Sequence, residues 1–299
     1  MKQKTLNLGI VGISEGNGHP YSWAAIFNGY NSAEMERCGF PAIPRYLEKQ
    51  RFPEDAIPEA KVTHVWTQDR RVSGHIAKAA KIKHVAEKMD DLLGVVDGIL
   101  LARDDAKEHL RMALPFLQAG IPIYVDKPLA LSVKEAEVMI RAQKYQGQLF
   151  SCSALRYAPE MLLTKDQIKN LGPILAVHAF VPKAWDTYAP HAIEPILQNL
   201  PERGEVVRAI CSMAKDQKTL LLEFSGGVTA QIHSLGQATT PIQLTFFSKS
   251  HSETLTFRDS FWAFRAALHE FVQGILKGDV RISPSNMLEV VQVMELGHT

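Results

Sequence analysis

A glycine-rich turn, Gly9-Ile10-Val11-Gly12-Ile13-Ser14-Glu15-Gly16-Asn17-Gly18-His19-Pro20, stands near the start of the chain. Glycines in such a turn let backbone N–H groups approach a pyrophosphate at the start of the following helix. Ser14 occupies the place of the second glycine of G-x-G-x-x-G and the loop is longer, so the residues serve a plain turn equally well. Asp69 closes the second apolar run, where a carboxylate can accept hydrogen bonds from ribose hydroxyls. Arg70 and Arg71 follow and can instead hold a 2′-phosphate; a simple charged loop is the other reading. Further on, Asp126-Lys127-Pro128 ends another apolar run and Arg156-Tyr157-Ala158-Pro159 follows the next. His191 supplies an imidazole suited to proton transfer near neutral pH. Glu194, one helical turn later, can orient that ring or cap the helix. Those two groups are too few for a metal site, and none is expected.

The elements that must position these groups fall into two parts. Leu6–Val11, Val62–Thr67, Val95–Ala102 and Ile121–Val125 are apolar runs that read as strands. Between them lie helical patterns, one opening at Pro20 and one with Leu110, Ala113, Leu114 and Leu117 on a single face until Gly120. Strand–helix alternation predicts a doubly wound parallel sheet, and the nearly unbroken apolarity of Val95–Ala102 predicts a strand buried on both faces. After Pro128 one amphipathic helix leads to strands at Leu149–Ala154, Ile174–Val181, Thr219–Phe224, Val228–His233, Ile242–Phe247 and Thr254–Phe257. Ser225-Gly226-Gly227 is a hairpin turn, and two helices close the chain. Consecutive strands predict a mainly antiparallel open sheet in an α+β domain. The expected division is 1–128, a Rossmann dinucleotide-binding domain, and 129–299, a domain for substrate and oligomer contacts. Asn31–Pro58 is long for the link between a first helix and a second strand.

Val96-Asp97-Gly98-Ile99-Leu100-Leu101, His109, Ala119-Gly120, Asp126-Lys127-Pro128-Leu129-Ala130 and Arg156–Pro159 keep one register for about sixty residues. In these the chain resembles the glucose–fructose oxidoreductase/inositol dehydrogenase (Gfo/Idh/MocA) family. The resemblance implies NAD- or NADP-dependent redox chemistry on sugars or related polyols. It implies that Lys127 is a cation beside the reacting hydroxyl, stabilising alkoxide character as hydride leaves. Pro128 would fix the chain after the strand, a cis bond being open to proline. The family's second motif, an acid four residues before a histidine and another three after, maps onto His191 and Glu194. The first acid falls on Thr187; Asp186 misses by one and Tyr188 offers a phenol as a stand-in. The implied catalytic set is Lys127, His191 and Tyr188, with Arg156 joining them on the substrate. Cofactor contacts are expected from Gly12, Ile13, Ser14, Gly18, His19, Asp69, Arg70, Ala102, Arg103, Asp104, His109, Asp126 and Lys127. Arg103-Asp104-Asp105 stands where a Thr-Pro pair is usual, which adds charge beside the nicotinamide ribose.

Composition narrows the field further. With 33 Lys+Arg against 32 Asp+Glu the net charge is +1, which predicts no nucleic-acid or membrane surface. No apolar run is long enough to span a bilayer, and the basic Met1–Lys4 start is not followed by a long enough apolar region for a signal peptide. Cys38, Cys152 and Cys211 are odd in number and lack CxxC spacing, so neither a disulfide framework nor zinc is indicated. The expectation is a cytoplasmic oxidoreductase acting on a sugar-like substrate and working as a homodimer or homotetramer. The oligomer is inferred from the resemblance and from Val228–His233 and Ile242–Phe247, whose apolar surface exceeds what few helices can cover. A cofactor-binding regulator without turnover is the alternative. A methyltransferase with a similar turn has no use for Asp126-Lys127-Pro128.

Overall fold

The fold was obtained as a computed structural model describing residues 5–298; Met1–Lys4 and Thr299 lie outside the described residues. Six strands form the first sheet: β1 Leu6–Val11, β2 Ala60–Trp66, β3 His84–Val85, β4 Gly98–Leu101, β5 Ile123–Val125 and β6 Leu149–Phe150. Their order is β3-β2-β1-β4-β5-β6, all parallel, so the order reverses between β1 and β4. Ligand sites of doubly wound sheets lie at the carboxyl ends of the strands beside that reversal. The turn after β1, Arg103 after β4 and Lys127 after β5 all stand there.

Every residue of β4 and β5 is buried, in keeping with a sheet covered on both faces. The helix His19–Asn28 carries proline in its first turn, where a missing N–H costs nothing. Asn28 then ties it to β2, donating to the Val62 and Ala80 carbonyls and accepting from the Val62 N–H. The helix His109–Ala119 ends at Gly120, whose φ of 78° is the left-handed cap that glycine adopts without strain.

Two expectations are corrected here. Leu149–Phe150 is the last strand of the first sheet, paired in parallel with β5 through the crossover helix Val133–Arg141, rather than the start of the second. The first sheet thus runs beyond the division expected at residue 128. Asn31–Pro58 is no loose connection: it holds the short helices Ser32–Met35 and Ala42–Leu47 and buries Met35, Leu47 and Ile57. Phe40 and Ile43 from this segment press on Gly18, so closely that a Cβ there would collide with both.

The second sheet contains β7 Ala176–Val181, β8 Val206–Ala214, β9 Gln217–Phe224, β10 Thr229–Ser234, β11 Gln243–Phe247 and β12 Ser252–Thr256. Its order is β12-β11-β7-β10-β9-β8, antiparallel except for the parallel pair β7–β10. The β9–β10 hairpin turns at Ser225–Gly227 as expected. β8 is an addition that periodicity did not reveal, because this edge strand leaves Val207, Ile210 and Met213 exposed. The apolar surplus expected on β10 and β11 is smaller than predicted. Ala230, Ile232, Leu244 and Phe246 all face inward and are buried, while the opposite face shows Phe180, His233, His178 and Phe247.

The closing helix Ser260–Lys277 packs back on the first sheet rather than on the second alone. Its Phe271 meets Tyr124 of β5 and Phe150 of β6, and Trp23 stacks on Tyr124 from the other helix. Arg265 of the same helix donates to the carbonyls of Asp55 and Ala56 in the long segment. Among the described residues no helix is long and apolar enough to cross a membrane.

Candidate active site

A cavity of about 260 Å³ opens between the carboxyl edge of the first sheet and the second sheet's helices. Lys127, Asp104, His19, Tyr188 and His191 line it, with Phe257 and Phe264 closing its apolar side. Lys127 follows β5, whereas His191 sits in the first turn of the helix Pro190–Asn199, so distant stretches of chain converge on one space.

Lys127 is nearly fully buried, and its ammonium donates to Asp104 Oδ2 at 3.2 Å and to the Thr187 carbonyl at 3.1 Å. Its peptide bond to Pro128 is cis. Burial pushes the Asp104 carboxyl up, but the Lys127 ammonium and the Ser14 hydroxyl outweigh that and hold it below its usual value. Lys127 thus spends two of its three donor positions on Asp104 and the Thr187 carbonyl, and its side chain lines the cavity.

His191 shares a hydrogen bond between Nδ1 and Ser153 Oγ at 2.7 Å. Burial drives its pKa well below the ordinary value, and Lys127, His19 and Lys183 add to that while Asp104 opposes it. The imidazole is neutral at neutral pH, the state in which it can accept a hydroxyl proton. Tyr188 stands edge-on to His191 with ring centroids 5.3 Å apart. The Lys183 ammonium lies 4.8 Å from the centre of the Tyr188 ring.

Other expected residues are placed elsewhere. Arg156 does not line the cavity: it pairs with buried Glu194 at 2.9 Å, behind His191. Glu194 also accepts the Ser153 N–H at 3.2 Å, so it reaches His191 only through Ser153. Burial raises the Glu194 carboxyl despite Arg156. His109 is fully buried, and its two ring nitrogens face the carbonyls of Arg103 and Leu129, which makes it a strut between loops rather than a cofactor contact. Asp186 pairs with His298, away from the cavity.

The glycine turn is built in an unusual way. Ser14 and Asn17 bridge across a tight hairpin, and Ser14 Oγ donates to Asp104 at 2.7 Å. The exposed Gln68 amide bridges both the N–H and the carbonyl of Ile13. Gly12 has φ of 80°, and a Cβ there would collide with the stem of Arg103, whose Nε pairs with Asp105 at 2.7 Å. Ala102 is buried and donates to the Val11 carbonyl. Asp69 caps the helix Arg70–Ala79 by accepting the Arg71 N–H at 2.7 Å, while Arg70 reaches out to Glu87.

A dinucleotide fits this edge once two side chains turn aside. Gly12 offers the bare backbone that a pyrophosphate approaches; the Arg103 stem lies over it and the Gln68 amide covers the neighbouring Ile13, both long side chains whose partners, Asp105 and the Ile13 backbone, lie at or near the surface. Ile13, Ser14 and Gly12 would then hold the pyrophosphate. Asp69, three residues beyond β2, would take the adenosine ribose, and Asp104 and Lys127 would border the nicotinamide end. The ring of His19 lies in the cavity, held by Asp126, beside Asp104 and Lys127. The chemistry-bearing residues that sequence reasoning missed are Asn17, Ser153 and Lys183. Asn17 was legible as the polar member of the glycine turn. The other two carried no signal in spacing.

Comparisons with known proteins agree with this architecture. Residues 38–153 match the model of an oxidoreductase family, GFO_IDH_MocA, described as having an NAD-binding Rossmann fold. No curated protein matches. Among solved structures, apo scyllo-inositol dehydrogenase from Lactobacillus casei is similar at a TM-score of 0.72 and 16% identity, over 100% of this chain and 96% of that one. UDP-N-acetylglucosamine 3-dehydrogenase from Acidithiobacillus ferrooxidans gives 0.69 and 15%, over 97% and 95%. A protein of gentamicin A biosynthesis, solved in complex with NAD, gives 0.71 and 15%, over 99% and 95%. The matched segment thus has the NAD-binding Rossmann fold of the Gfo/Idh/MocA oxidoreductases, and the chain as a whole shares the fold of these dehydrogenase structures.

Proposed function

We propose that the protein is a dehydrogenase or reductase that moves a hydride between a nicotinamide and a hydroxyl-bearing carbon of a sugar-like substrate. The convergence of Lys127 and neutral His191 on one cavity carries this reading. When bound, the nicotinamide supplies the hydride acceptor or donor. Lys127, fixed by Asp104 and the Thr187 carbonyl, stabilises negative charge developing on the substrate oxygen. His191, steadied by Ser153, takes the hydroxyl proton, and Tyr188 borders the same space. Phe257 and Phe264 exclude water from one side. A volume of about 260 Å³, just below the roughly 300–1,000 Å³ usual for small-molecule sites, suits a single polyol ring. The Asp69 carboxylate favours NAD over NADP, because it repels a 2′-phosphate.

Inositols, aldoses, amino sugars and nucleotide-linked sugars, screened with both cofactors by nicotinamide absorbance, test the reading. With a substrate in hand, Lys127→Ala and His191→Ala should each lower turnover by roughly 10²–10⁴-fold. Full turnover in His191→Ala would refute its assignment. A second reading, a cofactor-binding regulator without turnover, draws on the Arg103 stem over Gly12 and the Gln68 bridge on Ile13. Tight cofactor binding with no turnover across the panel would favour it.

A further inference from the structure

The cavity holds a second imidazole that the reaction outlined above leaves unused. His19 opens the helix His19–Asn28, and its Nδ1 lies 2.5 Å from Asp126 Oδ2. Asp126 is buried, with 1% of its surface exposed, and is held from three directions. Asn17 Nδ2 donates to the same Oδ2 at 3.0 Å, and the Lys127 N–H donates to Oδ1 at 2.8 Å. Asn17 also accepts the His19 N–H through Oδ1 at 2.8 Å, so one side chain fixes both the backbone and the carboxylate partner of this histidine. The ring is clamped by Trp23, stacked at 4.9 Å, and by the edge of Phe264, also at 4.9 Å.

A carboxylate at Nδ1 selects the tautomer with its proton on that nitrogen and leaves the Nε2 lone pair as an acceptor. Among the described residues Nε2 makes no hydrogen bond, and the ring lines the cavity with Lys127, His191 and Tyr188. Base, orienting carboxylate and clamped ring form the arrangement that positions a general base.

We propose that His19, oriented by Asp126, is a second acid/base group of this cavity, its Nε2 accepting a hydrogen bond and then the proton of a substrate hydroxyl. The idea rests on the dehydrogenase reading. In the oxidation direction the O–H bond breaks, its electron pair forms the carbonyl, the hydride leaves to an oxidised nicotinamide, and the proton ends on Nε2. His191, which takes the hydroxyl proton first, is buried beside Lys127, Lys183 and His19 itself, so it passes the proton on to Nε2 rather than keeping it. The charged and titratable groups facing His19 are Asp126, Asp104, Lys127 and the neutral His191, with Glu15 and Lys183 on the same cavity wall. Thr187, which lacks a carboxylate, lines the cavity as well.

The first test needs no substrate. Full-length protein labelled with ¹⁵N-histidine should show, in long-range ¹H–¹⁵N spectra at alkaline pH, one ring with a protonated Nδ1 and a bare Nε2. Those signals should disappear in His19→Gln, and Asp126→Asn should shift them toward the opposite tautomer. A His19 ring protonated at Nε2 in the neutral state would overturn the proposal. The second test uses any polyol found to turn over, with NAD or NADP as it requires. His19→Gln should lower turnover at least tenfold and remove one limb of the pH–rate profile. Unchanged turnover with an unchanged profile would leave His19 as packing only and overturn the proposal. Thermal melting of each variant separates unfolding from loss of chemistry. If the tautomer is as stated while no polyol reacts, the dyad geometry is supported and the dehydrogenase reading is what fails.

Discussion

Arg103 stands between this chain and its cofactor, and its removal should tighten NAD binding. Its stem covers Gly12 and its guanidinium holds Asp105 with two hydrogen bonds. A dinucleotide reaching Gly12 must displace that stem and break the pair. Arg103 is buried at 7% exposure but Asp105 is 41% exposed, so solvent screens one end and the pair is worth about 1 kcal/mol. At about 1.4 kcal/mol per tenfold, Arg103→Ala should lower the Kd for NAD by up to about fivefold. Asp105→Ala frees the guanidinium but leaves the stem, so a smaller gain in the same direction is expected. Calorimetric titration of both variants and the parent with NAD and NADP reads this directly. Binding weakened tenfold or more in Arg103→Ala would refute the reasoning, since it would mean that the guanidinium grips the pyrophosphate.

Breaking the buried Arg156–Glu194 pair by Arg156→Ala should cost roughly 3–5 kcal/mol in chemical denaturation, because Glu194 is left as an uncompensated buried acid. A loss below about 1 kcal/mol would count against that placement. The depressed His191 pKa makes the folded chain bind fewer protons there than the unfolded one, whose imidazole titrates near ~6.5. Its contribution to stability is full above that value and is lost as pH falls toward the folded pKa. Melting curves of the parent should drop more steeply than those of His191→Gln on acidification from about neutral to pH ~5. Identical slopes would refute this. The outward face of the second sheet, with Phe180, Leu221 and Phe247, should pair with a second copy of the chain. Light scattering at micromolar concentration should give at least a dimer, and a monomer mass would rule the pairing out.

Local pattern sufficed for much of the first sheet. Gly98–Leu101 and Ile123–Val125 are apolar throughout because both faces of a parallel sheet are covered, and the run lengths admit little besides strands. The left-handed stop at Gly120 was equally legible, because only glycine takes that backbone without strain. Asp126-Lys127-Pro128 stands at the carboxyl edge of the first sheet, and Lys127 and His191, singled out from the chain, line one cavity.

Tertiary structure decided what spacing cannot encode. Leu149–Phe150 joined the first sheet because strand partners are chosen by the crossover helix packing across the sheet, not by the strand's own residues. β8 escaped notice because an edge strand that is largely exposed keeps no strict alternation. Arg156 and His109 have the chemistry of ligand contacts, but Glu194 and two loop carbonyls claimed them, since a buried polar group must find a partner. The partner of His19 was equally hidden. His19 lies 107 residues from Asp126 in the chain, and only the turn of β1 into its helix brings ring and carboxylate to 2.5 Å in the cavity that Lys127 and His191 share.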